Sequence, residues 1–89
     1  FVSADGINNE GLFTANLEEG QIAKIIMSHA KENIVLVDSS KFDRNGIINF
    51  SQLSKIHTLV TDKNIPQNYL NHLTELGIKV VIAENYTEK

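Results

Sequence analysis

The chain has 89 residues, enough for one domain or part of one, and 42% of them are hydrophobic and 21% charged, an ordinary globular composition. A net charge of −3 and a single arginine, Arg44, give no clustered positive footprint for nucleic acid. The absence of cysteine excludes disulfides and thiolate metal sites, and no apolar run approaches the roughly 18 residues of a membrane span.

With no secretory leader visible, the composition points to a soluble cytoplasmic protein. The chain opens on Phe1-Val2, with neither Met nor a polar lead-in, and reads as a piece of a longer protein. Phe1 to Ala4 fits the end of a strand. Asp5-Gly6-Ile7-Asn8-Asn9-Glu10-Gly11, with two Gly, two Asn and two acids, reads as a loop.

Asn16 and Glu19 have the spacing of a capping box, and they predict a helix from Leu17 to Lys31. Ile22, Ala23, Ile26, Met27 and Ala30 recur at helical spacing and predict its apolar stripe. Ile34 to Val37 is a continuous β-branched and Leu run that suits a strand covered on both faces. Arg44-Asn45-Gly46 is a turn, Ile47 to Phe50 a weak extended segment, and Ser51 to Lys55 one helical turn.

Thr58 to Thr61 is a second buried-type strand. Pro66 marks a first helical turn, Tyr69, Leu70, Leu73 and Leu76 an apolar helix face, and Gly77 a C-terminal cap. Ile78 to Ile82 is the last strand, and Glu84 to Lys89 a polar tail. Strands alternating with helices predict an α/β fold with a mostly parallel sheet and flanking helices.

Asp5, Asp38 and Asp62 each follow a predicted strand. If those strands are parallel, the three acids share the carboxyl edge, where open α/β sheets bind ligands. Lys41 is the strongest candidate there, because an ammonium can hold a phosphate or sugar oxygen. Asp5 can accept sugar hydroxyls, and Gly6 admits close backbone approach. Each also has a structural reading: Lys41 as a solvated turn residue, Asp5-Gly6 as a common turn. Asp38 and Ser39 fit a ligand site or a capped turn, and Glu19 fits a capping box. His29, His57 and His72 share no metal-ligand spacing and read as surface or core-edge residues. No phosphate-loop, dinucleotide, nucleophile-elbow or zincin motif is present.

Phe1-Val2-Ser3-Ala4-Asp5-Gly6-Ile7, Gly11-Leu12-Phe13-Thr14, Glu18-Glu19, Val37-Asp38-Ser39-Ser40-Lys41-Phe42 and Val60-Thr61-Asp62, in that order, resemble the C-terminal sensor domain of the DeoR family of bacterial repressors. Departures are Ser3 and Asp43, where the family favours Gly, and Gly20, where it favours Ala. The resemblance implies half of a domain similar to ribose-phosphate isomerases and CoA transferases. It implies a phosphorylated-sugar effector bound near Asp5, Gly6, Glu19, Ser39 and Lys41, with no cofactor and no catalysis. Residues 1–89 would be the later part of the sensor, with its phosphate loop and an operator-binding winged helix-turn-helix upstream. The family also implies homo-oligomers. One rival reading is a sugar-phosphate isomerase, whose relatives use a Glu near the position of Glu19 as a base, and against it Gly6-Ile7-Asn8 stands where a second carboxylate is expected; the other is a non-ligand interaction module in which Asp38 to Lys41 is only a turn.

Overall fold

A computed structural model describes residues 1–83 of the chain, and the predicted polar tail lies outside the described residues. Its strands are β1 (Val2–Ser3), β2 (Gly6–Asn8), β3 (Gly11–Thr14), β4 (Ile34–Leu36), β5 (Ile48–Ser51), β6 (Thr58–Thr61) and β7 (Lys79–Ile82). The helices are α1 (Leu17–His29) and α2 (Gln67–Glu75), with 3-10 turns at Ser39–Lys41 and Leu53–Lys55. β1, β4, β6 and β7 form a parallel sheet in that order. The α/β class with a mainly parallel sheet is therefore as the alternation of elements predicts.

The stretch read as a loop is instead a hairpin. β2 pairs antiparallel with β3, and β3 with β5, in a separate three-stranded sheet. Asn9 and Glu10 are the two-residue connection between the paired Asn8 and Gly11, and the positive φ of the hairpin falls on Gly11, at 129°. The hairpin forms because Ile7 and Leu12 have a core to enter, and both are fully buried.

One core joins the two sheets. Val2, Val35 and Leu59 are in register across the parallel sheet and meet Leu12, Phe42, Phe50, Tyr69 and Leu73. The opposite face of that sheet carries Leu36, Val60 and Val81, of which Leu36 is 41% exposed. Burial on both faces was expected, but among the described residues only one is covered. The β-branched run makes both faces apolar, yet it cannot specify what lies over them.

Helix α1 also differs from its reading. It starts as predicted, with the Asn16 side chain accepting from the Glu19 N–H at 2.9 Å, and ends at His29. Asn33 Nδ2 donates to the Met27 carbonyl just beyond that end. Ile22 and Ile26 are about half exposed, while Gly20, Ala23 and Met27 face inward. The helix lies on β3 and β5 rather than on the parallel sheet, and close contact there selects its Gly–Ala–Met line. Helix α2 follows Pro66, buries Tyr69 and Leu73, and ends at Gly77 with φ 84°.

Candidate functional site

Parallel pairing sets Ser3, Leu36 and Val60 side by side, so Asp5, Asp38 and Asp62 all leave the sheet at its carboxyl edge. The expected shared edge is present. A cleft of about 330 Å³ opens there, lined by Leu36, Val37, Asp38, Val60, Thr61, Asp62 and Ala83.

The turn Ser39–Lys41 hangs from two carboxylates. Asp38 caps it, accepting from the Ser40 N–H at 3.0 Å and from the Ser40 hydroxyl. Asp62 Oδ2 accepts from the Ser39 N–H at 2.8 Å, and its Oδ1 accepts from the Asn64 N–H at 2.9 Å. The Ser39 N–H bond is the main reason the Asp62 carboxyl sits below the usual carboxylate range, against opposing burial. The sequence marks Asp62 as one of the three acids at the carboxyl edge. Its bridge to Ser39 had no local signal.

Asp5 is committed to structure through one oxygen. Its Oδ2 accepts from the Thr14 hydroxyl at 3.1 Å and the Ala15 N–H at 3.0 Å. These bonds, led by that from Ala15, lower its pKa, and the Lys41 charge adds to the effect. Lys41 is close enough for its charge to be felt at Asp5, but the two form no ion pair among the described residues. Lys41 is half-buried, its backbone N–H donates to Asp38 O at 3.1 Å, and its ammonium has no hydrogen-bond partner among the described residues.

Gly6 is approached by protein. A Cβ there would lie 2.8 Å from the Arg44 carbonyl oxygen, so its small size is used against the segment after the turn. Glu19 is exposed on the first turn of α1, and its carboxylate makes no hydrogen bond among the described residues. Phe42 and Asp43 anchor the far end of the Ser39–Lys41 turn. The Asp43 N–H donates to Ile7 O at 2.7 Å, and Asp43 Oδ1 accepts from the Tyr69 hydroxyl at 3.1 Å. Asp43 has φ 64°, a conformation that suits Gly and that Asp tolerates better than most residues.

A second groove, of about 940 Å³, lies at the opposite, amino edge, beside Asn33 and His57, which precede β4 and β6. Lys24, Lys31 and Lys55 line it with no acid among the lining residues. His57 Nδ1 accepts from the Asn33 N–H at 2.9 Å, a structural role. No His, Cys, Asp or Glu cluster with metal-binding geometry occurs among the described residues, and no helix among them is long and apolar enough to cross a membrane.

An α/β unit with its polar residues gathered on the carboxyl edge of a parallel sheet is the class this geometry defines. Residues 1–63 match the family model described as the DeoR C-terminal sensor domain, and the chain belongs to that family. It is 31% identical to the HTH-type transcriptional regulator IolR of Bacillus subtilis over 93% of the chain and 34% of that protein. It is 28% identical to the L-fucose operon activator of Haemophilus influenzae over 90% of the chain and 32% of that protein. It is 31% identical to the lactose phosphotransferase system repressor of Staphylococcus epidermidis over 72% of the chain and 26% of that protein. The chain spans about a third of the length of such relatives.

Proposed function

We propose that this chain is the effector-binding part of a transcription regulator of sugar metabolism, and that its effector is a phosphorylated sugar. The observation that carries the reading is Lys41, whose ammonium has no hydrogen-bond partner among the described residues and which a turn fixed at both ends holds at the carboxyl edge, within electrostatic reach of Asp5. Membership of the DeoR sensor family supports it, as do relatives named for fucose and lactose systems. Lys41 neutralises the anionic group, and the remaining acceptor positions of Asp5 read sugar hydroxyls. Operator DNA is bound by a separate winged helix-turn-helix of the same cytoplasmic, homo-oligomeric protein. The sugar phosphate acts by binding one of its conformations more tightly than the other.

Catalysis is not part of this reading. A base must be poised over the substrate, whereas Asp5 Oδ2 is engaged by Thr14 and Ala15 and Glu19 is exposed on α1. One observation favours a second location for the anion, the lysine-lined groove at the amino edge.

Thermal melts of the full-length protein against a panel of sugar phosphates test the proposal. Ligand at about 100 times its dissociation constant adds roughly 2.7 kcal/mol. The shift is expected to vanish in Lys41→Ala and to persist when Lys24, Lys31 and Lys55 are all replaced by Ala. The reverse pattern moves the site to the amino edge, and no shift with any sugar phosphate ends the effector reading.

A further inference from the structure

The groove of about 940 Å³ at the amino edge takes no part in the carboxyl-edge site. Lys24 of α1, Lys31 just beyond that helix and Lys55 of the second 3-10 turn line it. No acid lines it among the described residues, and Glu32, next to Lys31 in sequence, lies outside the lining. The chain as a whole has 11 acids against 8 basic residues, so this gathering of one sign runs against its average.

A lysine near the end of a helix ordinarily bonds the last carbonyls. In α1 those carbonyls are already bonded. The Ile25 carbonyl is taken by the Ser28 hydroxyl at 2.8 Å and by His29 Nδ1 at 2.9 Å. The Ile26 carbonyl accepts from the Ala30 N–H at 3.0 Å, and the Met27 carbonyl from Asn33 Nδ2 at 3.2 Å. Helix capping therefore does not account for the lysines.

The segments that bear them are clamped together. Asn33 is buried, and its Nδ2 also donates to the Lys55 carbonyl at 3.1 Å. Its own carbonyl accepts from the His57 and Thr58 N–H groups at 3.0 and 3.2 Å. One residue thus ties the end of α1 to the Lys55 turn and to the start of β6. Like charges gathered this way repel one another, and an anion in the groove relieves the repulsion. His57 adds a donor, because Nδ1 accepts from the Asn33 N–H at 2.9 Å and the ring proton must then sit on Nε2.

We propose that the amino-edge groove is a second anion site, for a small molecule carrying two phosphoryl groups. Its volume is that of a small-molecule pocket. One phosphoryl ester carries a charge of about −1.5 to −2 at pH 7, so three ammoniums match two such groups better than one. The groove and the carboxyl-edge cleft lie at opposite ends of β4 and β6, so the two ligands do not compete by contact. The site does not depend on the effector reading and can stand if that reading falls.

The test is calorimetric titration of the full-length protein with inorganic pyrophosphate, and with inorganic phosphate for comparison. Pyrophosphate is expected to bind wild type about tenfold more tightly than phosphate. Replacing Lys24, Lys31 and Lys55 together by Gln should weaken pyrophosphate at least tenfold, whereas Lys41→Ala should leave it unchanged. The unliganded triple variant should melt at the same temperature or higher, because the repulsion is gone. In wild type, pyrophosphate should shift the imidazole NMR signals of His57, a readout that needs no variant. Pyrophosphate binding that survives the triple substitution, or that is lost only in Lys41→Ala, overturns the inference. So does a His57 spectrum that pyrophosphate leaves unchanged. If the triple substitution abolishes the melt shift given by a sugar monophosphate, the groove is the effector site itself and a separate site is overturned. If Lys41→Ala alone abolishes that shift and pyrophosphate does not bind, the effector reading stands and this inference falls.

Discussion

The Asp62 carboxylate accepts the Ser39 N–H at 2.8 Å across 23 residues of sequence, tying the end of β6 to the turn that presents Lys41. Removing the acceptor leaves Ser39 N–H without a partner and frees the turn. Asp62→Ala is expected to lower stability by about 1.5–3 kcal/mol, the range for hydrogen bonds to charged groups. Denaturant unfolding would measure it. Asp62→Asn, which keeps an acceptor oxygen, should lose less. Equal stability of Asp62→Ala and wild type would show that the bridge contributes nothing.

The same carboxylates set an acid limit. Asp5 and Asp62 both titrate below their ordinary value of 3.8 in the folded chain. A group with a depressed folded pKa binds its proton more readily when unfolded, so its stabilisation is present above that ordinary value and is lost as pH falls below it. Stability should be flat from neutral pH to about 5, in the absence of other titrating groups, and decline below 4. The decline should be shallower in Asp62→Asn, read from melts at a series of pH values.

Lys41 and Asp5 can be examined without any ligand. Lys41→Ala removes a nearby positive charge, so the Asp5 carboxyl should titrate higher than in wild type while remaining below 3.8, because the bonds from Ala15 and Thr14 persist. Carboxyl-carbon NMR titration reads this directly. No change in the Asp5 midpoint would mean the two charges do not interact.

Tyr69 pins the far side of the turn. Its phenol is pushed up by burial first and by Asp43 second, and its hydroxyl donates to Asp43 Oδ1. The ring also packs on Phe42 with centroids 5.2 Å apart. Tyr69→Phe keeps the ring contact and removes the bond, with an expected loss of about 0.5–1.5 kcal/mol. Tyr69→Ala also removes the buried ring, with an expected loss of about 3–5 kcal/mol. Equilibrium unfolding of the pair separates bond from packing.

Gly6 and Gly20 should respond differently to Ala. At Gly6 the new methyl meets a backbone oxygen at 2.8 Å, which cannot swing aside, and a loss of about 1–3 kcal/mol is expected. At Gly20 it meets the Ile48 and Thr14 methyls, each at 3.1 Å. There a helix-propensity gain of about 1 kcal/mol opposes mild crowding, so the net change should be within about 0.5 kcal/mol of zero. Urea unfolding of the two variants under one set of conditions decides both.

Local signals placed most of the elements. The Asn16 cap, Pro66, Gly77 and the runs at Ile34 and Thr58 act over a few residues, so α1, α2, β4 and β6 were legible to within about two residues. Acids after each strand marked the carboxyl edge, because parallel strands must end together. Gly and Asn between Asp5 and Gly11 fit a loop and a hairpin equally well, and only burial of Ile7 and Leu12 chose the hairpin.

The sequence by itself thus determined an α/β chain, a polar edge, and Lys41 at that edge. Tertiary structure alone decided which face of α1 is buried, since this depends on contact with β3 and β5. It also decided that Gly6 serves Arg44, that Asp62 holds Ser39, and that Thr61 has an orphan hydroxyl. Each of those facts depends on pairing between segments distant in sequence. Strand register fixes such pairing through burial of the sheet as a whole, and no short stretch of the chain contains that information.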